Sequence, residues 1–116
     1  MTDNLFRHFF AGFVRLHILY HAAKEPICGV EIIEELKRHG YDLSAGTLYP
    51  ILHGLENMGY LTSTPEVVGG KRRRNYRITK HGQTMLADGQ KKVRELVSEV
   101  IEDKDLRAVA EKRPRR

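Results

Sequence analysis

The sequence is short of several things, and each shortage removes a class of protein. A single cysteine, Cys28, stands in 116 residues, so no disulfide can form within the chain and a reducing cytoplasm suits it. No apolar run approaches the roughly 18 to 20 residues of a membrane span, because Arg7, His8, Arg15 and His17 interrupt the greasy N-terminal stretch. A secretory leader is not supported either. Internal repeats and low-complexity linkers are missing, and 116 residues suffice for one domain with one modest core. P-loops, G-x-G-x-x-G turns, Ser-His-Asp orders, Cys-His pairs and paired catalytic carboxylates do not occur in a plausible context, which reads against an enzyme. No cofactor is implied.

What the chain does have is positive charge. Lysine and arginine outnumber aspartate and glutamate by 20 to 15, a net +5, and that balance favours a polyanionic partner. Overall charge alone fits any soluble basic protein. Four of the cations, however, are consecutive, at Lys71-Arg72-Arg73-Arg74.

The stretch from Leu43 to Thr79 organises the rest. Leu48, Ile51, Leu52, Leu55 and Met58 follow the i, i+3, i+4, i+7 spacing of one helical face. Thr47, Tyr49, His53 and Asn57 fall on the other face, all able to hydrogen-bond to phosphates or base edges. Ser44 stands at the N-cap position and Gly59 at the stop. Pro50 lacks the N–H that would bond the Gly46 carbonyl, so the spacing predicts a loosened first turn within one helix. Leu61 to Val67 and Arg72 to Thr79 read as strands joined by Val68-Gly69-Gly70-Lys71, whose glycine pair supplies the positive φ of a tight hairpin.

A short helix followed by a basic hairpin suggests a winged helix-turn-helix. Leu48-Tyr49-Pro50-Ile51-Leu52, then Leu55-Glu56 and Gly59-Tyr60-Leu61, then Arg74-Asn75-Tyr76-Arg77-Ile78-Thr79 and Gly82, resemble the PadR family of bacterial transcriptional regulators. The resemblance covers roughly residues 5 to 100. It implies that Pro50 is tolerated inside a recognition helix, and that the first and last helices pair with those of a second subunit. It further implies a repressor released by a small molecule bound in or beside the dimer interface. Some relatives stack planar drugs on tryptophan; this chain has none. Phe6, Phe9, Phe10 and Phe13 can line such a pocket, and core or interface packing explains them equally well.

Elsewhere the pattern is helical. Leu5 to Ala23 is apolar nearly all round, so one side is expected to meet its own core and the other a second subunit or a ligand. His17 and His21 are i, i+4 on that helix, a spacing able to hold a metal. No Glu follows the first as in a zincin, and no Asp or Cys third ligand is evident nearby, so they read as interface or surface histidines and no metal is expected. Lys24-Glu25-Pro26 ends the helix. Gly29 to His39 then reads as a helix with Val30, Ile32, Ile33 and Leu36 inward, closed by Gly40, and Tyr41-Asp42-Leu43 is the turn of the helix-turn-helix. Relatives of the family mostly carry Tyr-Gly where this chain has Cys28-Gly29. Cys28 reads as a small buried hydrophobe, with a redox-sensing thiol as the sharper alternative. Thr79 is a natural N-cap for a last helix from about Lys80 to between Asp103 and Val109, its stripe being Leu86, Val93, Leu96, Val97, Val100 and Ile101. Lys112 to Arg116 reads as a disordered basic tail, drawn to DNA without specificity or simply solvated.

The expected fold is mainly α with a small β-hairpin, a winged helix-turn-helix with N- and C-terminal dimerisation helices. Residues 1–79 hold the DNA-binding part, 80–110 the dimerisation helix and 111–116 the tail. The partner is double-stranded DNA with a palindromic operator, half-sites about 10 base pairs or a multiple apart. The expected DNA-contacting residues are Ser44, Gly46, Thr47, Tyr49, Pro50, His53, Lys71, Arg72, Arg73, Arg74 and Arg77. The expected subunit contacts are the four phenylalanines and the six apolar residues of the last helix. The rival reading is a winged-helix interaction module that does not bind DNA specifically, and apolar groups in place of Thr47, Tyr49, His53 and Lys71 to Arg74 would be its mark.

Overall fold

The computed structural model describes residues 4–102. The expected end of the last helix beyond Glu102 and the basic tail lie outside the described residues. Helix α1 spans Asn4–Lys24, strand β1 Ile27–Cys28, helix α2 Gly29–Arg38 and helix α3 Ala45–Asn57. Strands β2, Leu61–Val68, and β3, Lys71–Ile78, form the hairpin, and helix α4, Lys80–Leu96, passes into a π-helical segment at Val97–Ile101. Two compact units divide between Leu86 and Ala87. The first therefore takes in the opening turns of α4, which the sequence reading assigned to a separate segment.

Apolar spacing builds the core of the first unit. Val14, Ile18, Leu19 and Ala22 of α1 meet Ile32 and Leu36 of α2, Leu48, Leu52 and Leu55 of α3, and Leu61 and Tyr76 of the hairpin. Two expected inward residues do not join them. Val30 and Met58 are both more than half exposed, each at a helix end where the buried face runs out.

The hairpin belongs to a three-stranded antiparallel sheet ordered β1-β3-β2. Only two strands were expected, and β1 is the third: Ile27 pairs with Tyr76 and Cys28 with Asn75. Gly69 and Gly70, both with positive φ, make the two-residue turn whose twist matches the strands. Buried Cys28 also caps α2, where its backbone N–H donates to Glu31 Oε1 at 3.0 Å. That bond, made to the charged form, holds the Glu31 carboxyl below the usual range.

The end of α2 sets the path into α3. Tyr41 N–H donates to the Leu36 carbonyl and Gly40 N–H to that of Lys37, the paired bonds of a Schellman turn, with Gly40 at φ +89. Ser44 then caps α3, its Oγ accepting from Thr47 N–H at 3.2 Å. Leu48 N–H also reaches the Ser44 carbonyl, so the first turn is closed and the helix runs unbroken through Pro50. At the far side, Thr79 Oγ1 accepts from Gly82 N–H at 2.9 Å as the cap of α4 and donates to the Gly59 carbonyl. The turn after α3 and the start of α4 are thereby tied together.

Candidate nucleic-acid interface

Helix α3 offers a small polar end. Ser44, Gly46, Thr47, Pro50 and His53 are exposed, and the Ser44 and Thr47 hydroxyls are 3.2 Å apart. Tyr49 differs from the expectation of an open polar face: it is half-buried and packs against the core. Its ring covers Gly29, where a Cβ would come within 2.7 Å of Tyr49 Cζ. Tyr49 therefore links the two helices of the helix-turn-helix, and His53 lies one turn on, its ring centroid 6.5 Å from that of Tyr49.

The hairpin does not aim its five cations one way. Strand alternation puts Lys71, Arg73 and Arg77 on one face and Arg72 and Arg74 on the face of buried Tyr76. All five are exposed. Two have partners that pattern reading missed. Arg74 Nε donates to Ser63 Oγ at 3.0 Å, and Ser63 Oγ donates to Glu56 Oε2 at 2.8 Å. A relay thus joins the end of α3 to the returning strand. Arg73 Nε stands 3.6 Å from Glu66 Oε2, and Glu66 also accepts from Asn75 Nδ2. Cross-strand register gives the signal for the second pair, since Glu66 lies directly opposite Arg73. Burial, reinforced by Glu56, pushes the Tyr76 phenol up, so the residue at the base of the wing is neutral.

The expected subunit contacts divide. Phe6, Phe9, Phe10 and Phe13 are exposed on α1 and in ring contact along it. Val93, Leu96, Val100 and Ile101 are exposed, the last two at 67% and 71%, and Val97 is half-buried. Leu86 departs from the expectation, for it packs against this chain's own core.

A third imidazole stands beside His17 and His21, that of His39, the residue that follows α2. His39 brings its ring to 4.6 Å from that of His17, and ligand nitrogens of all three lie within 4.8 Å of one another. Sequence spacing missed His39 because the fold, not one helix, supplies it. His21 Nε2 is buried with no hydrogen-bond partner, and Glu35 Oε2 stands 3.8 Å from it. Beside α1, a cavity of about 600 Å³ is lined by Phe10, Val14, Tyr41, Leu43 and Ile51 with Arg7 and Arg15 at its walls.

Helix α2, its glycine-ended turn and α3 form a helix-turn-helix, and β2–β3 is its wing, which places the chain among winged helix-turn-helix proteins. Residues 18–88 match the Transcriptional regulator PadR-like family. The chain belongs to that family, one of transcriptional regulators and not of enzymes. It is 47% identical over 95 residues to Transcriptional regulator Rv3488 of Mycobacterium tuberculosis, covering 82% of this chain and 89% of that one. The solved PadR family transcriptional regulator from Eggerthella lenta is similar with a TM-score of 0.74 and 29% identity, over 84% of this chain and 86% of that chain. Bacillus subtilis PadR, solved in complex with operator DNA, has a TM-score of 0.60 at 24% identity, over 66% of this chain and 46% of that one, a likeness of fold. None of the described helices is long and apolar enough to cross a membrane.

Proposed function

We propose that this protein is a homodimeric, cytoplasmic repressor that binds a palindromic operator through α3 and the hairpin and is released by a small-molecule effector. The observation that carries the reading is the exposed polar end of α3, with Ser44, Gly46, Thr47 and His53, set beside a hairpin of five exposed cations. A major groove admits one helix whose N-terminal residues meet base edges. In this reading Thr47 and His53 face bases, Tyr49 gives its hydroxyl to a phosphate, and Lys71, Arg72, Arg73, Arg74 and Arg77 neutralise phosphates or enter the flanking minor groove. The relative solved on operator DNA supports the choice of partner.

Exposed apolar side chains support the dimer. The phenylalanines of α1 and the stripe from Val93 to Ile101 expose large apolar surface that a second copy would cover. Twofold symmetry then demands a palindrome. The cavity beside α1, apolar with two arginines at its walls, suits an aromatic anion as effector. Such a ligand releases the operator only by binding better to the conformation that does not hold DNA.

The test is fluorescence anisotropy of a labelled duplex from the protein's own promoter region against a scrambled duplex, at two salt concentrations. Tight, salt-sensitive binding to the first alone is expected. Equal weak binding to both would overturn the reading in favour of an interaction module.

A further inference from the structure

We propose that His17, His21 and His39 form a binding site for one divalent transition-metal ion per chain, clamping α1 to the end of α2. Three observations meet there. The i, i+4 pair on α1 and the residue that caps α2 bring three ligand nitrogens within 4.8 Å of one another. Tetrahedral zinc with Zn–N bonds of about 2.0–2.1 Å needs nitrogens about 3.3 Å apart, which small ring rotations supply. His21 Nε2 is buried and has no hydrogen-bond partner, so an ion gives that lone pair the partner it lacks. The Glu35 carboxylate stands 3.8 Å from the same nitrogen, which puts a negative charge, and an oxygen able to serve as a further ligand, beside the cluster.

The chemistry selects the class of ion. Three neutral imidazoles suit zinc, cobalt, nickel or copper and not the oxygen-seeking calcium and magnesium. Tyr41 closes one side, its ring edge-on to His17 at 5.5 Å.

Position gives the site a consequence. His39 is held by the Schellman turn that leads through Gly40 and Tyr41 to the cap of α3, so an ion joining it to α1 fixes the approach to the recognition helix. This second half, metal-dependent DNA affinity, rests on the DNA-binding reading; the site itself does not.

The experiment is calorimetric titration of the tag-free full chain with Zn²⁺ alone, with Co²⁺ absorption as a second probe of nitrogen ligation. One ion per chain and a rise in Tm are expected. His39→Ala, an exposed position whose loss leaves the fold intact, should weaken Zn²⁺ binding roughly 100-fold and abolish the Co²⁺ visible bands, and Glu35→Gln should weaken it about 10-fold. His8→Gln, far from the cluster in sequence, should bind as the parent does. Absence of binding, or binding untouched by His39→Ala, overturns the site. Binding with unchanged affinity for promoter DNA overturns the regulatory half alone.

Discussion

Gly82 lies so close to Tyr60 that any larger side chain would overlap the Tyr60 carbonyl oxygen, and a Cβ there would also stand 2.7 Å from Ile78 Cγ1. The same carbonyl accepts from Thr79 N–H at 3.0 Å. The obstacle is backbone, and backbone at the start of β2 cannot swing aside. Gly82→Ala is therefore expected to cost about 2–3 kcal/mol, read as a fall in the urea midpoint with an unchanged slope. Stability equal to the parent would show that α4 does not need this approach.

Gly29 faces a side chain instead, and the outcome differs accordingly. Gly29→Ala presses on the Tyr49 ring and should cost about 1 kcal/mol. In a Tyr49→Ala background the penalty should disappear, because the obstructing group is gone. A double-mutant cycle measures it; equal penalties in both backgrounds would sink the account.

Glu31 links stability to pH. Its folded-state carboxyl titrates below the ordinary value because the Cys28 N–H bonds to the charged form. A depressed acid contributes stability that is fully present above its unfolded pKa of about 4.3 and is lost as pH falls through the folded value. Glu31→Gln should thus lower the urea midpoint at pH 7, and the gap from the parent should narrow as pH falls below about 4. A gap that does not narrow with falling pH would mean the carboxylate charge is not its source.

Much of this was legible from residues and some was not. Ser44, the Leu48–Leu52–Leu55 stripe, Gly59 and the Gly69-Gly70 pair are local signals, and α3 and the hairpin follow from them. A strand of two residues has no period to read, so β1 was invisible until Ile27 met Tyr76. Val30 and Met58 obey the apolar spacing, yet sit at helix ends where no neighbour covers them. Half-burial of Tyr49 depends on Gly29, and the third imidazole on a turn between helices. Such pairings exist only once the chain is folded. The π-helical segment at Val97–Ile101 interrupts a stripe that spacing alone continues as α-helix.

The wing makes a prediction of opposite signs. Arg77→Gln should weaken binding to all duplexes alike and reduce the slope of log affinity against log salt by about one. Glu66→Gln, which removes the carboxylate beside Arg73, should strengthen binding without sequence preference. Thr47→Val should instead narrow the difference between operator and scrambled DNA. Anisotropy titrations at several salt concentrations separate these cases, and a salt slope unmoved by Arg77→Gln would remove that residue from the interface.

Self-association is expected to depend on both exposed stripes. Phe9→Glu and Val100→Glu should each shift the protein toward monomer in sedimentation equilibrium while leaving the far-ultraviolet spectrum unchanged. A dimer that survives both substitutions would place the twofold axis elsewhere.

The alternation of Lys71, Arg73 and Arg77 against Arg72 and Arg74 carries a rule of parity for the length of this hairpin. Two residues added to each strand beside Gly69-Gly70 would extend its reach by about 7 Å and leave every cation on its present side. One residue inserted within the ladder between Arg73 and Arg74 would turn Lys71, Arg72 and Arg73 over relative to Arg77. Even-numbered lengthening of each strand is thus the tolerated way to vary this wing, and a single insertion is the disruptive one.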